Sequence, residues 1–119
     1  MQKVILSEKF KLFKERWTPK IVGELNGQHV KIAKLQGEFV WHKHDEEDEL
    51  FLVIKGQLTI AFRDYEEVLN PGEFIIVPRG IEHKPYAEKE VEVMLFEPKS
   101  TLNTGNAGGD LTQNDLEKI

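Results

Sequence analysis

A chain of 119 residues, 39% hydrophobic and 31% charged, is long enough for one folded domain with its own core and too apolar to stay disordered. It has no cysteine, which excludes disulfides, thiol nucleophiles and zinc–thiolate sites. Its net charge of −5 argues against nucleic acid as a partner, because phosphate binding needs a basic surface.

The N-terminal MQKVILSEKF holds an apolar run of only three residues, too short for a secretory core. No segment is long enough to cross a bilayer, so a cytoplasmic protein without a membrane partner is expected. Residues 7–16, SEKFKLFKER, fit a short helix with Ser7 as N-cap and Phe10, Leu12 and Phe13 as its apolar side; Pro19 blocks its continuation. KIVGELNGQHVKIAKL reads as a hairpin, because Asn26-Gly27 is the favoured pair for a two-residue type I′ turn. Gly37 interrupts the second run, and EFVWHKH begins a third extended segment. His29 is expected to be an exposed strand histidine.

Leu50 to Ile54 is continuously apolar and is followed by a turn at Lys55-Gly56. Leu58, Ile60 and Phe62 then alternate with Thr59 and Ala61, the period of a half-buried strand. RDYEE is a turn, Val68-Leu69 lead into another at Asn70-Pro71-Gly72, and FIIV is a short strand closed by Pro78 and Gly80. VEVMLF, Val91 to Phe96, is the last strand, stopped at Pro98. Short strands with turn signals every eight to twelve residues indicate an all-β sandwich or barrel. The barrel is expected over 1–98, with 99–119 a polar, glycine-rich loop or tail; LTQNDLEKI could add a helical turn, with Thr112 and Asp115 spaced as a capping pair.

FVWHKHDEEDELF places two histidines one residue apart ahead of five acids, Asp45 to Glu49. The run has two readings, a solvated loop between strands or the first half of a metal site. On an extended chain His42 and His44 share a face. If the next strand begins at Glu49, then Glu49, Phe51 and Val53 share one face and Leu50, Leu52 and Ile54 the other. The carboxylate then opens an inward face beside the imidazoles, while Asp45 to Asp48 form a solvated turn without a ligand role.

These residues resemble the cupin family. Gly37, His42, His44, Glu49 and Gly56 match its first motif, and Gly72, Pro78, Gly80 and His83 in GEFIIVPRGIEH match its second. The spacing from Gly37 to His42 is one residue shorter than usual, and Ala87 stands where the second motif often has asparagine. The resemblance implies a double-stranded β-helix, a jelly-roll barrel, in which His42, His44, Glu49 and His83 converge on one divalent ion. Three imidazoles and a carboxylate suit Fe(II), Mn, Ni, Cu, Co or Zn and leave positions open for a ligand.

The expected function is that of a mononuclear metalloenzyme, dioxygenase-like or otherwise metal-assisted, acting on a small molecule. The alternatives are a non-catalytic binding or sensing module and a sugar isomerase-like protein. Apolar inward residues such as Phe51 and Val53 favour a compact, mostly apolar substrate. Arg63, Arg79 and Lys84 are the only nearby cations, none clearly inward, and no general acid or base stands out. Leu50, Leu52 and Ile54, joined by Phe39 and Trp41 opposite the histidines, would make a large apolar outer patch, covered either by the chain's own N-terminal strands or by a second copy in a two-fold homodimer, as the cupin resemblance also suggests.

Overall fold

The structure, a computed structural model, describes residues 1–119. Seven antiparallel strands follow one short helix: α1 Leu6–Phe10, β1 Lys20–Leu25, β2 Gln28–Glu38, β3 Glu49–Lys55, β4 Leu58–Ala61, β5 Glu66–Leu69, β6 Phe74–Val77 and β7 Lys84–Pro98. β7 is the spine. It pairs with β2 along nearly its whole length, and on its other side with β4 at Lys84 to Tyr86 and with β3 from Glu92 to Phe96. β6 completes the β3 edge and β5 the β4 edge, so the sheet rolls into an all-β barrel, as expected. No helix is long and apolar enough to cross a membrane.

Strand alternation builds the interior. Phe51 and Val53 of β3, Leu58 and Ile60 of β4, Val77 of β6, and Val91, Val93 and Leu95 of β7 are all buried in one cluster. Each large side chain so buried contributes about 1.5–3 kcal/mol. β3 starts at Glu49 with the expected parity: Glu49, Phe51 and Val53 are buried, while Leu50, Leu52 and Ile54 are half-exposed on the outer face. The hairpin turn is also as expected, with Asn26 and Gly27 both at positive φ, 49° and 79°.

Several expectations fail for local reasons. The helix is confined to Leu6–Phe10, and Ile5 rather than Ser7 is its N-cap, with no side-chain hydrogen bond. Phe10 and Phe13 instead pack with Ile32 on the outside of the sheet, where they also cover Ile54 and Met94. EFVWHKH is not a strand: pairing ends at Glu38, and only His42 returns to it, through a bridge to His83. β5 takes in Glu66 and Glu67, assigned above to a turn, and β7 begins seven residues before Val91 because Pro85 is accommodated opposite Ile60.

Residues 99–119 contain no helix, and the Thr112 hydroxyl bonds that of Thr104 rather than capping one. The segment folds back over the barrel. Thr101 and Thr104 are buried, and the Ile119 N–H donates to the Ile21 carbonyl at 3.0 Å.

The outer apolar patch also differs from expectation. Ile54 lies under the N-terminal segment, Phe39 is turned onto Trp17, and Trp41 sits beneath Arg63 at 3.9 Å. Leu50 and Leu52 remain, joined by their β6 partners Ile76 and Phe74, which are 54% and 59% exposed.

Candidate metal centre

His42, His44, Glu49 and His83 are all buried, and one nitrogen or oxygen from each lies within 4.8 Å of the others. The backbone stitches the two motifs together to achieve this. His42 and His83 exchange N–H···O=C bonds of 3.0 and 2.8 Å, the Gly80 N–H donates to the His44 carbonyl at 2.8 Å, and the Arg79 N–H donates to Asp48 Oδ1 at 2.9 Å. Two side-chain contacts then orient the rings. His42 Nδ1 stands 2.9 Å from the Val40 carbonyl and His83 Nδ1 2.9 Å from that of Ile81. Each Nδ1–H donates outward, which leaves Nε2 as the free electron pair facing the cluster.

The donor set fits a metal ion. Glu49 Oε1 is 3.3 Å from His44 Nε2 and 3.4 Å from His83 Nε2, and all three atoms are buried without a hydrogen-bond partner. Two ligand atoms each about 2.1 Å from one ion and separated by 90–110° stand about 3.0–3.4 Å apart. Buried polar atoms left unpaired are costly, and a shared cation would satisfy all three. The acids before Glu49 face elsewhere: Glu47 accepts from Ser100 Oγ at 2.7 Å, and Asp45 and Asp48 lie near Lys43 and Arg79. His29 is outside the cluster and only 12% exposed, 3.3 Å from Glu24; it is not the exposed histidine expected.

Burial, then the neighbouring His83, lower the His42 imidazole to about 4. Burial pushes the Glu49 carboxyl up, but the close His44 and His83 rings outweigh it and hold the group below the usual carboxylate range. The unfolded chain takes up a proton at His42 near 6.5, whereas the folded metal-free protein resists it until about pH 4. The His42 contribution to stability is therefore present above 6.5 and falls by up to about 3 kcal/mol as pH drops through that window. Metal-free wild-type protein should lose thermal stability relative to His42→Gln between pH 7 and pH 4.5. Parallel melting curves at the two pH values check this.

Glu49 borders a cavity of about 40 Å³ whose walls include the apolar Trp17, Phe39, Phe51 and Leu95 and the polar Lys31 and Glu97. Trp17 is held at φ 58°, a conformation costing about 1–2 kcal/mol. Its N–H bonds to the Lys34 carbonyl, its Nε1–H bonds to the Gln36 carbonyl, and its ring stacks on Phe39 at 4.7 Å.

Lys31 and Glu97 are each 3% exposed. Burial, then the Glu49 carboxylate, hold Glu97 well above the usual carboxylate range against the pull of Lys31. Lys31 corrects the expectation that no cation points inward. Its signal was available in the strand period: Lys31 shares a face with Ala33 and Leu35, and Glu97 continues the row of Val91, Val93 and Leu95. Arg63, Arg79 and Lys84 lie outside, near Glu82, Asp48 and Glu38 respectively.

Comparison with known proteins agrees with the fold. A family model described as "Cupin domain" matches residues 28–97. The uncharacterized protein YdbB of Bacillus subtilis is 38% identical over 72 residues, which are 60% of this chain; the match spans 64% of the length of that curated relative. The crystal structure of a cupin-2 domain-containing protein from Shewanella frigidimarina superimposes with a TM-score of 0.80 at 44% identity, covering 81% of this chain and 94% of that one. A protein from Neisseria meningitidis gives 0.75 at 26% identity, over 82% of this chain and all of its own.

Proposed function

The chain belongs to the cupin domain family, and from that premise we propose that it is a mononuclear metalloenzyme that acts on a small molecule at an ion held by His42, His44, Glu49 and His83. The observation that carries the reading is the set of buried, unpartnered atoms His44 Nε2, Glu49 Oε1 and His83 Nε2, facing one another at ligand spacing. When bound, a divalent transition metal supplies Lewis-acid polarisation, activated water or, if redox-active, oxygen chemistry. The protein's own share is positional. The Val40 and Ile81 carbonyls fix the His42 and His83 rings. Phe39 packs edge-on against His42 at 5.3 Å and Phe51 against His83 at 6.1 Å, which restricts water on that side. A lined cavity beside Glu49 favours turnover of a small molecule over a purely structural ion.

Elemental analysis of protein purified without added metal, followed by oxygen-consumption assays on small candidate substrates, tests the reading. One transition-metal ion per chain is expected; its absence even after incubation with each of the six candidate metals would refute the proposal.

A second copy of the chain covers the outer face formed by Leu50, Leu52, Phe74 and Ile76. Apolar side chains this exposed and contiguous are unusual on a monomer, and a two-fold axis through the patch would bury them sheet on sheet. Leu52→Glu should therefore convert a dimer into a monomer by light scattering while leaving metal content unchanged. Wild-type protein running as a monomer at micromolar concentration would remove the basis for this assembly.

A further inference from the structure

Lys31 and Glu97 are not explained by stability. Burying two charges costs several kcal/mol, recovered only when the pairing geometry is close and every donor is used. Here Lys31 Nζ is 3.4 Å from Glu97 Oε1 and 3.5 Å from the Thr101 carbonyl, both long for a charged hydrogen bond, and Glu97 Oε2 has no partner at all. An ammonium with spare donor capacity and a carboxyl group with an unpaired oxygen therefore line the cavity that Glu49 also borders.

We infer that this cavity binds a short-chain 2-hydroxycarboxylate, its carboxylate accepting from Lys31 Nζ, its hydroxyl donating to Glu97 Oε2 and its carbon skeleton lying between Phe39, Phe51 and Leu95. The inference rests on the metal reading above for the sign of the field. With a divalent ion beside Glu49, the charged groups facing the cavity sum to a positive value whether or not Glu97 carries a proton, so the occupant is an anion. Size limits it further. A cavity of about 40 Å³ has room for about three waters at roughly 10–15 Å³ each, which fits a two- or three-carbon acid. Phosphate is disfavoured, because one lysine offers too few donors for a tetrahedral dianion and the remaining walls are largely apolar.

Calorimetric titration of Co(II)-loaded protein with four probes separates the contributions: 2-hydroxypropanoate, propanoate, propane-1,2-diol and inorganic phosphate. Wild-type protein should bind the hydroxy acid most tightly, propanoate more weakly, and the diol and phosphate weakest. Lys31→Met should weaken both acids about ten-fold or more, the effect of losing one charged hydrogen bond, with diol binding and cobalt content unchanged.

If Lys31→Met does not fold, the double variant Lys31→Met/Glu97→Gln, which removes both buried charges together, replaces it. The inference is overturned if the variant binds the acids as tightly as wild type, if the diol or phosphate binds best, or if loaded wild-type protein binds none of the four. Cobalt content measured on the same samples tells the two failures apart. Wild-type protein that takes up no cobalt refutes the metal reading, whereas cobalt-loaded wild-type protein that binds no acid refutes the pocket alone.

Discussion

Replacing His83 by alanine should strip most of the metal from the protein, whereas Glu46→Gln and Glu47→Gln should leave it in place. His83 is fully buried, and its Nε2 stands 3.4 Å from Glu49 Oε1, so its loss removes one of four donors and opens a void on the buried carboxylate. His42→Ala should act alike, since its ring centre lies 4.2 Å from that of His83. Glu46 is exposed, and Glu47 is engaged by Ser100. Metal content by atomic emission after dialysis decides the matter. Retention by Glu49→Gln together with loss in the Glu46 and Glu47 variants would mean that the ligand register is wrong.

Gly105→Ala should lower metal affinity by about 10- to 100-fold, the usual range for residues that support a ligand without binding the ion. Gly105 lies far along the chain from the motifs, but a Cβ there would sit 2.2 Å from the Lys43 carbonyl oxygen and 3.2 Å from His44 Nδ1. The 99–119 segment forms a strap over the barrel that is fastened at the same point: Asn106 Oδ1 accepts from the Lys43 N–H at 2.9 Å, and the Asn106 N–H donates to the Lys43 carbonyl at 3.1 Å. A methyl group must push either the strap off or the His44 backbone inward. Gly108→Ala is the control, because Gly108 also has positive φ, 64°, but nothing lies within 4 Å of its added Cβ. It should cost about 1–2 kcal/mol in stability through backbone strain and leave affinity alone. Competition with a chromophoric chelator measures both variants; equal effects on affinity would show that the strap does not support the site.

The cluster of His42, His44, Glu49 and His83 was legible because strand parity turned Glu49 inward and the resemblance to the two cupin motifs supplied His83. Phe39 was misplaced because parity was carried through a break. Gly37 adopts φ 80° where the pairing of β2 with β7 shifts register, and residues 39–41 are not extended partners of any strand. Lys31 and Glu97 escaped notice because a charged residue inside a strand reads by default as its wet side. The cue in β2, Lys31 in step with Ala33 and Leu35, is blurred because Ile32 on the opposite face is buried too, beneath the N-terminal segment. The strap was hidden for a different reason. Small polar and glycine residues signal looseness, yet the same lack of side chain is what lets Gly105 press against Lys43.

The position of β7 near the end of the chain also sets the order of events during synthesis. The β1–β2 and β4–β5 hairpins can close as soon as they emerge, because their partners are adjacent. β2, β3 and β4 each keep an open edge until Lys84–Pro98 arrives to bridge all three. Pairings of such long sequence separation are slow to form, and exposed edges meanwhile invite contact with other nascent chains. His83 immediately precedes that strand, so the last member of the buried cluster and the staple that closes the barrel arrive together. A ribosome-bound fragment ending before them would carry His42, His44 and Glu49 beside unclosed sheet edges, with neither a complete cluster nor a finished fold.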